Sequence, residues 1–570
     1  MISVESEILE TVKAMADLLI DEMREEDGAV FCSQCGIAHG RSPESIFPFA
    51  FLYRETGKQN YRDAALACGG WLVRNQMPDG SWHNEQSVKW PGITVFNLLA
   101  LLGAIDLLQE CVDCSPLRSA SLKAARWVEG AIDRGYANIN YPITAMAVLA
   151  LAAQILGVPS FSHSAGRLRD DCIEIFTGEG FIHGEGNAYP SVDIGYNFDM
   201  SLGMLALFAR LTDDERVLAL ALRSTGTHLE FLYPDGSLDN SFGTRSYKWT
   251  LFGSKTAHAM QIPLLLLADR DQRFSLAAVR NLRYLNRIRQ GGFIPTGPAR
   301  YDNRVCIHAS FTRMTALSQA LYFARRFNID ITVHEGAQLP SEQHTSRFYE
   351  NINTLLYRGR DFVATVAGYG VSYWNGPLNH PSGGSLSYLY HRRTGPLQIG
   401  SVNEYIREEP FNMTEMPQRE SITPRIELVS DPRCSNVYCS DSAITLKDNT
   451  VHVGGVLQRV EASFAYSIEY RFARDMLIKR YRVAGGTGMF RIIEPIFAYD
   501  DDSVERGEGI ILIMQPERVV EVKCASENRL LLSEGKIWCP FPGVWAHRIV
   551  VEPRSDEVSV AITVRLKDKF

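Results

Sequence analysis

The sequence predicts a multidomain α + β protein, in which an N-terminal (α/α)6 toroid is followed by a C-terminal antiparallel β-sandwich. Three observations support this fold class: the length of 570 residues, a repeat of paired helical segments in the first part, and short alternating segments in the last part. A single hydrophobic core stops growing at about 250–300 residues, so two domains are expected. We place the toroid at residues 1–335, the sandwich at residues 345–570, and a linker between them.

The toroid is predicted from a glycine that recurs with aromatic or apolar neighbours at intervals of about 50 residues. Between successive glycines lie two helix-periodic segments, of which the first is nearly all apolar and the second is amphipathic. A helix that is apolar on every side is buried, whereas a helix with one apolar stripe is peripheral. The repeat therefore predicts inner and outer rings of helices, with glycine turns gathered at one mouth. The turns are at Gly28, Gly80, Gly135, Gly180, Gly236 and Gly292.

The β-sandwich is predicted from the change in pattern after about Thr345. Segments such as DFVATVAGYG and EVSVAITVRL alternate between apolar and polar residues and are bounded by Gly, Pro, Asp and Asn. This alternation is typical of strands that bury one face, and helical periodicity almost vanishes over the same region. An antiparallel sandwich is the architecture that buries such strands.

Composition and charge indicate which binding partners and which cellular location to expect for this protein. The net charge is -8, which disfavours nucleic acid and anionic membranes as partners. We find no continuous apolar run of about 18 residues and therefore expect no membrane span. The acidic start MISVESE does not resemble a secretory signal, so we expect a cytoplasmic protein, or a periplasmic or secreted one if a signal was removed. The sequence does not predict an oligomeric state.

The cysteine count of 11 is odd, and most of these thiols lie in apolar segments. Buried free thiols in a reducing compartment are the expected interpretation. Two short pairs, Cys32 with Cys35 and Cys111 with Cys114, together offer the number of thiolates that a structural zinc site uses. The pairs are far apart in the chain and the second lies at a helix end, so we assign no metal ligands. A structural zinc or calcium ion stays open.

The predicted mouth is rich in polar and aromatic side chains. Asp193, Tyr196 and Asn197 are three and four residues apart, so they share one face at the start of an inner helix. Arg245 and Lys248 flank a tyrosine, and two cations beside a tyrosine can bind a carboxylate. We expect substrate contacts from Trp82, His83, Asn138, Tyr141, His183, Tyr189, Asn197, Lys248, Trp249, His258 and His380.

The residue types at this mouth leave three functions open. A glycoside hydrolase would need two carboxylates across the bond, and Glu185, Asp193 and Asp239 are candidates. A lyase acting by β-elimination would need a group that neutralises a uronate carboxylate, a base and an acid. Asn, Arg, Tyr and His supply these roles and are abundant, so the composition favours elimination. A non-catalytic glycan-binding protein is the third alternative. No nucleotide-binding or serine hydrolase motif is evident, and none of the three functions requires a cofactor.

The order of toroid and β-domain resembles that of the heparinase II/III-like polysaccharide lyases. In that family, an inner helix opens with an Asn-His element that neutralises the uronate. The segment NINYPITAMAVLA is similar, with Asn138 and Asn140 matching and Tyr141 in place of His. The segment GYNFDMSL resembles the helix that carries the catalytic tyrosine, which nominates Tyr196. His380 is a loose counterpart of the histidine that the family's β-domain usually contributes.

The resemblance implies a uronate-specific lyase acting on an acidic oligosaccharide or polysaccharide. Lyases that cleave rhamnose–glucuronate linkages share this architecture, which makes that linkage one candidate. In this hypothesis Asn140 and Arg245 neutralise the carboxylate, Tyr196 is the base or the acid, and Lys248 tunes the site. The partner of Tyr196 would be Tyr247 or His308.

Overall fold

The computed structural model describes residues 3–85, 88–186, 191–241, 243–299, 305–372, 378–407, 409, 413, 420–459, 462–486 and 488–567. The chain forms two compact units. The first unit consists of Met1–Leu229, Phe252–Pro295 and Asp302–Gln338. The second consists of Glu230–Leu251, Thr296–Tyr301 and Leu339–Phe570, so it takes two segments from within the range expected for the toroid.

The first unit is built from paired helices, with even-numbered helices inside and odd-numbered helices outside. Each inner helix contacts the next, and the last inner helix contacts the first, which closes the ring. The predicted toroid is thereby confirmed. The helices are α1 (Val4–Asp21), α2 (Ile46–Thr56), α3 (Gln59–Arg74), α4 (Thr94–Leu108), α5 (Ser115–Ala131), α6 (Asn140–Leu156), α7 (Ser160–Cys172), α8 (Leu202–Thr212), α9 (Glu215–Leu229), α10 (Gln261–Leu266), α11 (Gln272–Ile288) and α12 (His308–Arg326).

The sixth hairpin is closed by the N-terminal helix. The inner helix α12 packs against α1, so the first helix of the chain supplies the outer partner of the last. The inner helices are buried on nearly all sides because their sequences offer Ala, Leu and Gly on every face. By length and composition, the segment Pro91–Leu108 is apolar enough to cross a membrane, but 83% of it is buried inside the unit, as expected for an inner helix.

The glycine turns join the outer helices to the inner ones. Gly80 has a φ of +94°, which L-residues rarely adopt. A Cβ atom at this position would lie 2.5 Å from the carbonyl oxygen of Lys123 on α5. The third turn differs from the others, because Ala137 takes the positive φ of 49° and Gly135 does not.

The second unit contains antiparallel sheets, as predicted. The strands are β1 (Arg347–Tyr349), β2 (Thr354–Arg358), β3 (Phe362–Ala367), β4 (Ser385–His391), β5 (Gly395–Ile399), β6 (Arg425–Leu428), β7 (Asp431–Ser435), β8 (Ala443–Lys447), β9 (Thr450–Arg459), β10 (Ala462–Ala473), β11 (Met476–Val483), β12 (Phe490–Ala498), β13 (Ser503–Gly507), β14 (Ile510–Met514), β15 (Arg518–Cys524), β16 (Arg529–Cys539), β17 (Val544–Glu552) and β18 (Glu557–Leu566). Two further strands have two residues each: Trp249–Thr250 in this unit and Gly253–Ser254 in the first unit.

Three sheets enclose the core of the second unit. Their strand orders are β8-β9-β10-β11-β18-β15-β14-β13, then β16-β17-β12-β6-β7, and β1-β2-β3-β4-β5. One hydrophobic cluster contains residues from all three, including Val366, Leu389, Ile468, Ile492 and Val560. Alternating burial along β11 and β18 shows that these strands bury one face only, which is the period-two pattern that the sequence displays.

Candidate active site

The N-terminal ends of the inner helices carry the polar residues of the first unit. The inner helices run in one direction because each outer helix returns the chain to the start of the next pair. The N-terminal end of a helix carries a partial positive charge of about +0.5, so this end of the ring favours an anionic ligand. The candidate site residues lie in the first turns of helices α2, α4, α6, α8, α10 and α12 or in the loops just before them.

Tyr196 lies where the fourth inner helix begins. The carboxylate of Asp193 accepts a hydrogen bond from the Tyr196 backbone N–H at 2.9 Å and thereby caps a short helical turn, Ile194–Tyr196. A π-helical stretch, Asn197–Ser201, follows before α8 starts. Such stretches occur frequently at functional sites. The Tyr196 side chain is buried, and its hydroxyl lies 2.9 Å from the hydroxyl of Thr256.

Thr256 connects Tyr196 to a buried charged cluster at the start of α2. The guanidinium of Arg41 donates to the Thr256 carbonyl at 2.7 Å and to the Glu44 carboxylate at 3.0 Å. The same group lies 3.1 Å from Nε2 of His258. Nε2 also lies 3.3 Å from the Glu44 carboxylate. A guanidinium donates and a carboxylate accepts, so these two contacts favour opposite tautomers of the neutral ring. Nδ1 has no partner among the described residues.

Burial sets the protonation of this cluster. Burial lowers the pKa of His258, and the nearby Arg41 and Arg313 lower it too, while Glu44 opposes the shift. Burial alone would raise the pKa of Glu44, but Arg41 and His258 hold it below its usual value. At neutral pH the cluster therefore contains a carboxylate, a guanidinium and a neutral imidazole.

A buried ion pair fixes the loop that carries Thr256 and His258. Arg313 on α12 donates to Asp199 at 2.8 Å and also to the carbonyl oxygens of Ser254, Ala257 and His258. Burial raises the pKa of Asp199 to about 6 despite this partner. Removing one member of such a pair is expected to cost about 3–5 kcal/mol because the other charge would be left uncompensated.

Three buried asparagines begin successive inner helices, and each has an amide oxygen without a hydrogen bond to the described residues. They are Asn97, Asn140 and Asn197. The amide nitrogen of Asn97 donates to the Gly40 carbonyl at 3.0 Å, and that of Asn197 donates to the Ile182 carbonyl at 3.1 Å. An unsatisfied buried acceptor costs about 1–3 kcal/mol.

Several other predicted residues lie in the same unit. Asn138 accepts from the Gly186 backbone N–H at 2.9 Å, and the Tyr141 hydroxyl accepts from the Trp90 indole at 2.9 Å. His183 is buried and His83 is half-exposed. His308 is the first residue of α12 and lies against His39, with ring centroids 5.1 Å apart. Tyr189 falls outside the described residues.

His258 lies in the loop just before α10, which begins at Gln261. Pro263 lies in the first turn of α10, a position that proline tolerates because the first N–H groups of a helix have no intrahelical partner. His258 thus lies in a loop that Arg313 holds, which directs its ring towards Arg41 and Glu44.

The cluster around NSFGTRSYKW belongs to the second unit. Tyr247 packs with Val402, Tyr405, Met413 and Phe541, and the Lys248 ammonium lies 2.5 Å from the Glu409 carboxylate. Arg245 is buried in the same segment. These side chains belong to the second unit and Tyr196 to the first, so their predicted place beside Tyr196 stays a prediction.

Three predicted substrate-binding residues are instead buried by packing. Trp82 is 1% exposed and its indole donates to the Leu72 carbonyl at 2.8 Å. Trp249 is fully buried. The His380 ring is buried beside Tyr369, and its Nε2 lies 2.9 Å from the Val371 carbonyl. All three side chains are buried, and their predicted roles in substrate binding stay predictions.

The sequence prediction did not identify the residues that hold the site together. Asp199, Thr256 and Arg313 escaped it because their partners are distant in the chain. Glu44 escaped it although one of its partners, Arg41, is only three residues away. One signal was available, because Arg313 interrupts the otherwise uncharged inner-helix segment HASFTRMTALSQAL. A charge on a helix that is buried all round requires a buried partner.

One further cluster could hold a metal ion. Ligand atoms of Cys32, Cys35, His39 and Cys306 all lie within 4.8 Å of one another. The second predicted cysteine pair does not contribute, because Cys111 is exposed and neither it nor Cys114 belongs to the group. The four-thiolate pairing considered from the sequence is therefore not formed.

Comparison with known proteins places nearly the whole chain in one family. Residues 9–336 match the ulvan lyase N-terminal domain, and residues 346–567 match the ulvan lyase C-terminal domain. A broad-specificity ulvan lyase of Formosa agariphila is 28% identical over 435 residues, which cover 73% of this chain and 68% of that protein.

Solved structures with the same fold are more distant in sequence. A mutant of the heparan sulfate lyase HepC from Pedobacter heparinus matches with a TM-score of 0.55 at 9% identity, over 98% of this chain and 84% of that one. The Streptomyces coelicolor A3 chondroitin AC lyase in complex with chondroitin sulphate matches with a TM-score of 0.59 at 12% identity, over 98% and 79% of the two chains. At these identities the likeness concerns the fold alone.

Proposed function

Because this chain belongs to the ulvan lyase family, we propose that it cleaves the glycosidic bond next to a uronic acid by β-elimination in an ulvan-type polysaccharide. The chain is a polysaccharide lyase and therefore a carbon–oxygen lyase. Its predicted resemblance to the heparinase-like lyases is confirmed. The rhamnose–glucuronate linkage is the first candidate for two reasons. The Formosa agariphila relative is named as an ulvan lyase, and lyases that cleave this linkage share the architecture.

The observation that carries the proposal is the Tyr196 hydroxyl in its setting. It lies beside Thr256, which Arg41 joins to the neutral ring of His258. In the proposed reaction, the phenolate form of Tyr196 accepts the proton from C5 of the uronate, the C4–O4 bond breaks as the C4=C5 double bond forms, and the Tyr196 hydroxyl returns that proton to the leaving O4. The neutral His258 ring carries its proton on Nδ1 in this proposal, and that N–H and the amide N–H of Asn140 stabilise the carboxylate as its negative charge increases.

Tyr196 acts as both base and acid in this proposal, so the partner that the sequence proposes for it, Tyr247 or His308, is not used. His258 takes the carboxylate-neutralising role that the sequence assigns to Arg245. Its unpartnered Nδ1 and its connection to Tyr196 through Arg41 and Thr256 support this assignment. The hydrolase alternative lacks comparable support. Asp193 caps a helical turn, and Asp239 accepts hydrogen bonds from Ser241 and Ser387. The third candidate, Glu185, accepts a hydrogen bond from the Asn140 backbone N–H at 3.2 Å. All three carboxylates therefore have structural partners.

The test compares the rates at which two tyrosine variants degrade ulvan. The rate is measured from the ultraviolet absorbance of the unsaturated uronate product. Tyr196→Phe removes one hydroxyl, and we expect the rate to fall by about 10²–10⁴-fold, the range typical of a lost proton-transfer group. Tyr61→Phe is the matched control, because the Tyr61 hydroxyl contacts Asp17 between outer helices. The control should keep wild-type activity.

Two results would contradict the proposal. New reducing ends without the ultraviolet absorbance would indicate hydrolysis instead of elimination. Near wild-type activity of a folded Tyr196→Phe protein would show that another group transfers the proton.

A further inference from the structure

Three cysteines and a histidine meet in the first unit, away from the groups assigned to proton transfer. Cys32, Cys35 and His39 lie between α1 and α2, and Cys306 lies just before α12. Cys32, His39 and Cys306 are buried, and Cys35 is half-buried. Their Sγ and imidazole nitrogen atoms lie within 4.8 Å of one another. Such a concentration of ligand atoms in a buried place requires an explanation.

The backbone between the first two cysteines forms a tight turn that brings both thiols to one place. Cys32 N–H donates to the Ile37 carbonyl at 2.8 Å, and Gly36 N–H donates to the Cys32 carbonyl at 2.8 Å. Gly36 has a φ of +69°, a conformation that glycine adopts without strain. The Cys-x-x-Cys spacing within such a turn is typical of structural zinc sites.

The orientation of His39 points to a metal rather than to packing alone. Its Nε2 lies 3.6 Å from Cys306 Sγ, while its Nδ1 lies 3.5 Å from the Glu85 carboxylate. A ligand histidine commonly donates its second N–H to a carboxylate, which fixes the tautomer and turns the other nitrogen towards the ion. Glu85 is placed to do this for His39.

We propose that Cys32, Cys35, His39 and Cys306 bind one structural zinc ion. Zinc–sulfur bonds of about 2.3 Å give a tetrahedron whose edges are about 3.8 Å, and the ligand atoms, all within 4.8 Å of one another, can reach this spacing with small shifts. The protein supplies all four ligands, so no position is left for water or substrate, and this is the mark of a structural site. Three thiolates and an imidazole also select zinc over calcium or magnesium, which prefer oxygen ligands.

The zinc ion would join the two ends of the helical ring. His39 and Cys306 are 267 residues apart in the chain, and they precede α2 and α12, the inner helices whose contact closes the ring. Arg41, which orients His258, follows His39 by two residues. Metal binding would therefore stabilise ring closure and the position of Arg41, a role that does not depend on which bond the enzyme cleaves.

Metal analysis of the purified full-length protein tests the proposal directly. We expect about one zinc per chain by mass spectrometry, and loss of that zinc in Cys35→Ser and Cys306→Ser. Cys68→Ser is the matched control, because Cys68 is buried in α3 outside the cluster. Cys35→His keeps four ligands and should retain zinc even if the serine variants fail to fold.

A second measurement separates metal binding from thiol oxidation and from catalysis. Glu85→Gln should weaken zinc affinity by about 10–100-fold, as is typical of changes to a partner of a metal ligand. Cobalt substitution should give the visible spectrum of a tetrahedral thiolate site. A folded, metal-free wild-type protein, or a disulfide among these cysteines in freshly purified protein, would overturn the proposal. Each result is independent of lyase activity.

Discussion

At the residue scale, the neutral ring of His258 determines how the site should respond to pH. Its neighbours are Arg41, Arg313 and Glu44, and burial together with the two cations lowers the pKa of the ring. A protonated ring could no longer accept the hydrogen bond from Arg41 and would repel both guanidinium groups. Neutral His258 is thus the form that supports the proposed reaction.

We therefore expect the acid limb of the kcat/KM profile to lie below about pH 6.5, the usual pKa of histidine. Glu44→Gln removes the carboxylate that opposes the shift, so the limb should move to still lower pH. The free energy of unfolding should also fall at acid pH. Because the pKa of His258 is lower in the folded state than in the unfolded state, stability is lost as the pH falls below about 6.5. pH–rate profiles of both proteins check this. A limb that moves upward in Glu44→Gln would contradict the assignment.

Residue-level prediction from the sequence succeeded where the residues were close in the chain. Asp193, Tyr196 and Asn197 share one helix start, and the structure keeps them together. Arg41 is more than 200 residues from Thr256 and His258 in the chain, and no local pattern joins it to them. The cysteine cluster shows both cases, since Cys32 with Cys35 is a local motif whereas Cys306 is brought in only by closure of the ring.

At the scale of elements, two glycine turns that look alike in the sequence differ in whether the backbone requires glycine. Gly80 has a positive φ and lies close to a backbone carbonyl of α5, whereas Gly135 has neither constraint and its nearest neighbour would be a side-chain oxygen at 3.5 Å. The repeat correctly predicts a turn at both positions. It cannot tell which residue of a turn takes the left-handed conformation, because that depends on the approach of the next outer helix.

Alanine substitutions should distinguish the two turns. Gly80→Ala is expected to lower the free energy of unfolding by at least about 1–2 kcal/mol, the cost of a left-handed conformation for an L-residue, and the clash with the Lys123 carbonyl adds to it. Gly135→Ala should be nearly neutral. Denaturant unfolding of the two variants measures the difference. Equal stability of both proteins would show that the Gly80 turn relaxes without cost.

At the scale of the whole molecule, the sequence predicts both architectures but not the assignment of one internal segment to the second unit. Residues 230–251 follow helix α9 and read as part of the fifth hairpin, yet they belong to the second unit. The Tyr233 hydroxyl lies 2.8 Å from Thr365 Oγ1, and its ring lies 4.0 Å from that of Tyr388. Periodicity identifies turns and helices, but it does not show with which distant strands a polar loop will bond.

This assignment predicts how a truncated chain should behave. A protein that ends at Gln343 lacks Thr365, Tyr388 and Glu409, so the segment 230–251 loses its partners in the second unit. Trypsin should then cleave after Arg245 and Lys248, both of which are buried in the full-length chain. Limited proteolysis with mass spectrometry compares the two proteins, with Lys123 and Arg126 of α5 as reference sites in the ring. Protection of Arg245 and Lys248 in the truncated protein would mean that the segment folds without the β-strands, and the division into units would have to be redrawn.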